Sequence, residues 1–405
     1  MKFRLNKTVA AVSSSALLLM AVPVIGVASA SSAASKPVFT IGYEGPLSGG
    51  NAVLGINMKW GVELAIQDAN ATGLLPFTLK DAFYDDQGSS TLSPAAAQQA
   101  IANKTLVAVV GPAFSGATKS AEPFYVNAKI ATVSPSATAA GLTTGKVNNN
   151  FMRVVYGDDV QGQADATFLV TKKSAKTLEV LNDGSFYGAG LAQVVATDAK
   201  TLGAKVTAAS YPQSSSCPPG TAPTSQYSAM ATQIKTSNPA GVFYGGYYCD
   251  FGLIVGALHS AGYKGVIMSG DGSESTSLIS GTSPSSAANG VFLSAAGGSS
   301  GGNFTGKLEA QFLKISGGVT SAKALYAPQA YDSTSIIIDA LARVSTKASV
   351  SKIRASLIPE LHKVSLKGIT GPIAFQSDGN LLGSGKGQID YYQVQGGKIV
   401  QFGHN

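Results

Sequence analysis

Apolar and polar positions along this chain switch repeatedly between a two-residue and a helical period, and the switching predicts alternating strands and helices. Val38 to Tyr43 reads as a strand. Residues 52–70 then carry apolar or small side chains at Leu54, Met58, Gly61, Ala65, Ile66 and Ala69, the spacing of one helix face. Phe77 to Tyr84 returns to strand. Ser93-Pro94 predicts an N-cap followed by proline at the first helical position, opening a helix through Asn103. Leu106 to Val110 is wholly apolar, as a strand covered on both faces requires. Further strands are expected near 130–133, 177–181, 204–209, 241–244, 266–268 and 291–294, with helix-like stretches between them. The Gly/Ser-rich stretches at Gly297 to Gly302 and Gly383 to Gly387 read as loops. Repeated βα units imply parallel sheets with right-handed crossovers.

The start of the chain follows a different pattern. Lys2, Arg4 and Lys7 precede a mostly apolar run from Val9 to Val27, and Ala28-Ser29-Ala30 offers a small-residue cleavage site. The strongest apolar core, Ala16 to Val27, is too short to span a bilayer and contains Pro23. A secretory signal peptide over residues 1–30 is therefore expected, cleaved near Ala30, with an extracytoplasmic product. No cysteine stands beside that site to accept a lipid. Removing Lys2, Arg4 and Lys7 lowers the net charge from +7 to +4. The remaining charge is scattered and no basic cluster is interleaved with aromatics, so nucleic-acid binding is not expected. The 405 residues less 30 leave about 375, more than one core usually serves, which predicts two domains.

Cys217 and Cys249 are the 2 cysteines. In an exported chain they make one disulfide most simply, closing a loop of about thirty residues and adding roughly 3–4 kcal/mol in the chain-entropy account. The 3 histidines, His259, His362 and His404, are too dispersed for a zinc site, and no cofactor is expected. Gly297-Gly298-Ser299-Ser300-Gly301 matches the nucleophile-elbow pattern and His362 could follow it, but a Gly/Ser loop produces that match by composition. No Walker loop is present, and no G-x-G-x-x-G follows the first strand. Asp85-Asp86 would point to opposite faces of a strand and read as surface or turn residues. No catalytic residue is assigned.

Three segments end apolar runs with small, hydroxyl or aromatic residues: Gly111-Pro112-Ala113-Phe114-Ser115, Ser134-Pro135-Ser136-Ala137-Thr138 and Phe243-Tyr244-Gly245-Gly246-Tyr247. Strand ends opening onto helix N-termini are where α/β sheets hold anionic groups. These segments fall in collinear order with Ile41-Gly42-Tyr43-Glu44-Gly45-Pro46-Leu47-Ser48-Gly49, Tyr84-Asp85-Asp86, Asn182-Asp183-Gly184-Ser185-Phe186-Tyr187-Gly188 and Met268-Ser269-Gly270-Asp271-Gly272. From about Val38 onward the chain resembles the solute-binding proteins of branched-chain amino-acid ABC transporters, which have the type I periplasmic-binding fold.

The resemblance implies an α/β fold of two doubly wound, Rossmann-like lobes with parallel central sheets, joined by a three-stranded hinge. Lobe 1 would comprise 38–158 plus 296–368, and lobe 2 159–295 plus 369–405. In that family the positions matching Ser115, Ser136, Ala137 and Thr138 hold the ligand's α-carboxylate, although Ser115 alone could be a helix cap. Asp271 matches the acidic residue that takes the α-ammonium, where glutamate is commoner; a turn aspartate is the alternative. Asp158 matches a polar residue at the first crossing between lobes, either a contact or a hinge end. Tyr187 and Tyr247 match aromatics that close over the ligand, and either could be core. Leu54 falls near the side-chain pocket. The stretch from Ser214 to Ser225 looks longer than usual, and a Cys217–Cys249 bridge would tie it to the second jaw.

The implied function is capture of an amino-acid-like ligand by hinge closure and delivery to an ABC permease with its ATPase, the binding protein acting as a monomer. The same fold tuned to an amide, urea or aromatic acid is an alternative. A sensor domain is another, although no transmembrane or signalling segment follows Asn405. A secreted hydrolase built on Ser299 or Ser300 is a remote third.

Overall fold

The computed structural model describes residues 36–146, 149–213, 225–297, 304–383 and 385–405. The first sheet is built from β1 (Val38–Gly45), α1 (Ala52–Ala71), β2 (Thr78–Asp85), α2 (Ser93–Ala102), β3 (Leu106–Val110), α3 (Ser115–Asn127), β4 (Ala131–Ser134) and β5 (Phe151–Arg153). Its five strands run parallel in the order β2-β1-β3-β4-β5. Every residue of β3 is buried, as its unbroken apolar run requires.

The chain then enters a second layer through α4 (Asp158–Thr167), β6 (Thr177–Asn182), α5 (Phe186–Thr201), β7 (Lys205–Ser210), α6 (Ser225–Ser237), β8 (Gly241–Gly245), α7 (Tyr248–Ser260), β9 (Val266–Ser269), α8 (Thr276–Gly281) and β10 (Phe292–Ala296). After β10 it returns to the first layer, where α9 (Gly306–Ile315) and α10 (Ala327–Ala342) pack on α1, and α11 (Val350–His362) packs on β3. A small antiparallel pair follows, β11 (Ser365–Lys367) with β12 (Pro372–Ala374). β13 (Ile389–Gln395) and β14 (Lys398–His404) then complete the second sheet, in the order β14-β13-β10-β9-β8-β6-β7.

That second sheet departs from the expected all-parallel form. β13 runs antiparallel to β10, and β14 antiparallel to β13. β13 and β14 are joined by the two-residue turn Gly396-Gly397, a link that only an antiparallel pair permits. β14 alternates weakly and is largely exposed, as an edge strand with one free face should be. Among the described residues no helix is long and apolar enough to cross a membrane.

Both sheets reverse strand order at a defined place. In the first, chains leave β1 and β3 in opposite directions; in the second, β6 and β8 do the same. Such switch points open a crevice beyond the carboxyl ends of the strands, bounded by helix N-termini. The two crevices face each other.

Candidate functional site

A cavity of about 20 Å³ lies where the crevices meet, lined by Leu54, Phe114, Ser115, Ser136, Tyr187, Tyr247, Asp271, Gly272 and Tyr326. The first layer supplies Leu54 from the opening turn of α1, Phe114-Ser115 from the β3–α3 junction, Ser136 from the loop after β4, and Tyr326 from the residue before α10. The second supplies Tyr187 at the start of α5, Tyr247 after β8, and Asp271-Gly272 after β9. Six of the nine ligand positions expected from sequence are thus brought together. Ala137, Thr138 and Asp158 are buried nearby but do not line the cavity.

The hydroxyl side of the cavity is held in a tight backbone net. Ser115 accepts the Ala139 N–H at 3.1 Å, and Ser136 donates to the Ala113 carbonyl at 2.7 Å. Ser134 accepts the Ala137 N–H at 3.0 Å. Ser115 does not cap α3 with its side chain; it is the first helical residue, and its hydroxyl instead ties α3 to the loop after β4. Arg153, only 1% exposed, organises that loop from β5. Its guanidinium donates to the Ala137, Thr138 and Ala139 carbonyls at 3.2, 2.7 and 3.0 Å, and to Thr143 and Asn380. One buried fork therefore sets the path of the loop through Ala139, including Ala137 and Thr138, two of the four positions expected to hold a carboxylate. Sequence reasoning passed over Arg153 because a single arginine after a short strand carries no pattern of its own.

The acidic side is equally constrained. Asp271 is 3% exposed; Tyr187 donates to its Oδ1 at 2.7 Å, and Tyr326 donates to its Oδ2. Burial pushes its carboxyl above the usual range, opposed by those two hydroxyls and the Gln161 amide. Asp158 opens α4 with both carboxylate oxygens buried and without a well-aligned partner. Burial raises its pKa to about 8, with the Asp271 charge adding to the rise and the neighbouring Thr138 hydroxyl and Arg153 opposing it. The site holds carboxylates that no lysine or arginine neutralises by direct contact among the described residues.

Aromatic rings close the walls. Phe114 stacks on Tyr247 with centroids 4.4 Å apart, joining the two layers, and Tyr187 lies against Tyr247 at 5.3 Å. Tyr248 donates to the Gly50 carbonyl at 2.8 Å, a second bond across the crevice near its rim.

The close approach of α5 to β8 sets the tyrosine positions. A Cβ on Gly188 would stand 2.4 Å from the Gly245 carbonyl oxygen, and one on Gly245 would stand 2.3 Å from the Gly188 oxygen. Only glycine at both places lets Tyr187 and Tyr247 share one wall.

A family model described as a periplasmic binding protein matches residues 38–398. The chain belongs to that family. Among curated proteins, the chain is 30% identical over 240 residues to Leu/Ile/Val-binding protein homolog 3 of Brucella melitensis biotype 1, covering 58% of this chain and 62% of that protein. It is 28% identical over 256 residues to a leucine-, isoleucine-, valine-, threonine- and alanine-binding protein of Pseudomonas aeruginosa, covering 63% of this chain and 65% of that protein. The matched part spans less than two thirds of the length of these relatives. Its fold is similar to that of the leucine binding protein LivK from Thermotoga maritima MSB8, with a TM-score of 0.75, 21% identity, and coverage of 90% and 97% of the two chains. It is likewise similar to LivJ of Streptococcus pneumoniae, a branched-chain amino acid transporter substrate binding protein in complex with isoleucine, with a TM-score of 0.74, 23% identity, and coverage of 90% and 99%.

Several expectations outside the cavity need correction. Ser93 is the first residue of α2 and caps nothing; buried, it donates to Glu44 at 2.5 Å and to the Ala117 carbonyl at 2.9 Å. Asp86 opens a turn, one of the two expected placements, but it is fully buried and not at the surface. The chain turns there, but α2 and the loop after β1 cover the turn, and Asp86 accepts the Gly88 N–H at 2.7 Å. Asp85 does lie at the surface; it accepts the Leu47 N–H at 2.9 Å and the Ser48 hydroxyl at 2.6 Å. The elbow-like serines Ser299 and Ser300 lie outside the described residues, and His362 bonds the Asn149 carbonyl at 2.8 Å. Cys217 also lies outside them, while Cys249 is buried in the first turn of α7. The predicted cleavage segment, residues 1–30, is outside them too.

Phe114, Gly272 and Tyr326 line the cavity without having been expected as site residues. Phe114 sat inside a motif already singled out, and its position before Ser115 could have marked it. Tyr326 gave only a helix-start signal, Ala327-Pro328 following it, and nothing local links it to a carboxylate 55 positions away.

Proposed function

We propose that this protein is the extracytoplasmic solute-binding component of an ABC importer and captures an amino acid, aliphatic or branched, between two lobes. The observation that carries the proposal is the polarity of the cavity. Hydroxyls and backbone groups at the N-terminus of α3 stand on one side, and a buried carboxylate stands on the other. A zwitterion presents its two charges in that arrangement. A helix N-terminus and neutral donors stabilise a carboxylate without a buried cation. The opposing acid supplies the negative charge that balances the ammonium, and Leu54 with Phe114 offers apolar contact to a side chain. The relatives named for leucine, isoleucine and valine binding support the same ligand class.

The carboxylate roles of Ala137 and Thr138, the part played by Asp158, and the lobe boundaries near 158, 295 and 369 belong to this proposal. So do export by cleavage near Ala30, a monomeric state, and partnership with a permease and an ATPase. A cavity of about 20 Å³ admits roughly one water molecule. Ligand entry then requires the two layers to part and reclose, which supports a hinge. The Cys217–Cys249 bridge is also proposed; no free cysteine occurs among the described residues. The bridge would brace the segment carrying Tyr247.

The test is a charge-selective loss. Asp271→Ala is expected to abolish calorimetric binding of leucine while leaving that of its deaminated analogue, 4-methylpentanoate, much less affected. Equal loss for both ligands would refute the ammonium assignment.

A further inference from the structure

Asp271 is the carboxylate that lines the cavity, and it is buried. Both of its oxygens are covered by phenols, Tyr187 from the second layer and Tyr326 from the first. The two phenols are not equivalent. The Tyr187 oxygen also accepts the Gly272 N–H at 3.0 Å, so one of its two lone pairs is already used. Tyr326 lines the cavity, and no donor among the described residues bonds its oxygen. A phenol that donates to a carboxylate keeps two lone pairs and becomes a stronger acceptor.

The backbone at this position supports a site role. Tyr326 has φ +65°, the left-handed region, where a non-glycine residue is uncommon and held only by its surroundings. The residue is 3% exposed, and its main chain is fixed by the start of α10, where the Ala330 N–H donates to its carbonyl at 2.9 Å. The conformation aims the ring out of the α10 axis and across the crevice to Asp271.

We propose that Tyr326 is the direct acceptor for the ligand's ammonium, relaying the charge of Asp271. The proposal rests on the amino-acid reading given above. Tyr326 also ties ligand recognition to closure, because it comes from the layer opposite to Asp271. A ligand nitrogen seated against its oxygen is held only when the two layers have met.

Tyr326→Phe keeps the ring and removes the acceptor, and Tyr187→Phe serves as the companion variant. Leucine affinity is measured by titration calorimetry, and that of 4-methylpentanoate by competition up to millimolar concentration, with thermal unfolding recorded for each protein. For Tyr326→Phe the expected result is a loss of about tenfold or more for leucine, with 4-methylpentanoate changed less than about twofold. Tyr187→Phe, which leaves the Tyr326 oxygen in place, is expected to cost leucine less. Unchanged or tighter leucine binding by Tyr326→Phe, or equal loss of both ligands, would overturn the assignment. If the wild-type protein bound no amino acid, the reading beneath the proposal would fall instead; if it bound leucine and Tyr326→Phe bound it equally, only the role of Tyr326 would fall.

Discussion

Glu44 and Asp86 illustrate how far single residues depart from what their neighbours in sequence imply. Glu44, the penultimate residue of β1, receives the Ser93 and Tyr125 hydroxyls on its carboxylate in a buried space, and burial lifts its pKa to about 8 against those bonds. Burial likewise lifts Asp86 to about 7, opposed by the Gly88 N–H and reinforced by Asp85. In the unfolded chain both would titrate near 4. Between roughly pH 4 and pH 7 the folded protein keeps protons that the unfolded chain has released, so raising the pH lowers stability. Ser48 and backbone N–H groups hold Asp85 below its usual range despite some burial, and its contribution is lost only at acid pH. The melting temperature of the wild type is expected to fall as pH is raised from 5 to 8, and Glu44→Gln to flatten that fall. An unchanged slope in the variant would contradict the assignment. None of this was legible in Tyr84-Asp85-Asp86 or Ser93-Pro94. Whether a turn is covered depends on α2 and the β1 loop meeting over it, a long-range event with no local period.

At the scale of elements, the strand–helix alternation was legible because parallel strands buried on both faces must be nearly continuous apolar runs. β3, β4, β6, β8, β9 and β10 all lie close to their expected positions. The short β5, β11 and β12 and the antiparallel β13 and β14 were not anticipated. Three-residue strands are too short to show a period; β13 is mostly buried and β14 mostly exposed, and neither keeps a regular two-residue alternation. The Gly188–Gly245 contact between α5 and β8 makes a local prediction. Gly188→Ala would push α5 away from β8, costing about 1–3 kcal/mol of stability by overpacking. Because Tyr187 precedes it directly, leucine affinity should fall as well, by at least several fold. Calorimetry on a variant that still melts cooperatively checks this, and undiminished affinity would show that the contact does not position Tyr187. Reduction of the proposed Cys217–Cys249 bridge should likewise weaken leucine binding; unchanged affinity would remove its bracing role.

The whole molecule brings two switch-point crevices face to face, and chemistry that neither sheet holds alone arises between them. Phe114 on Tyr247, Tyr326 on Asp271 and Tyr248 on Gly50 are all bonds between layers. The sequence could name most participants, because motifs in collinear order point to equivalent places in a known fold. It could not pair Tyr326 with Asp271, since their distance apart is set by the relative placement of the layers. Tyr248→Phe removes one such bond outside the cavity and should weaken every ligand alike, by a few fold, through the closed state. A change selective for one ligand would mean that Tyr248 touches it.

The central claim is that the cavity receives both charges of an amino acid. It is tested most directly by titrating the protein with leucine in a calorimeter, with 4-methylpentanoate and the primary amine 3-methylbutylamine as single-charge controls. The account predicts saturable one-to-one binding of leucine in the micromolar range, about −8 kcal/mol, with each control weaker by at least tenfold. Binding of either control as tight as that of leucine, or no binding of any amino acid, would contradict it.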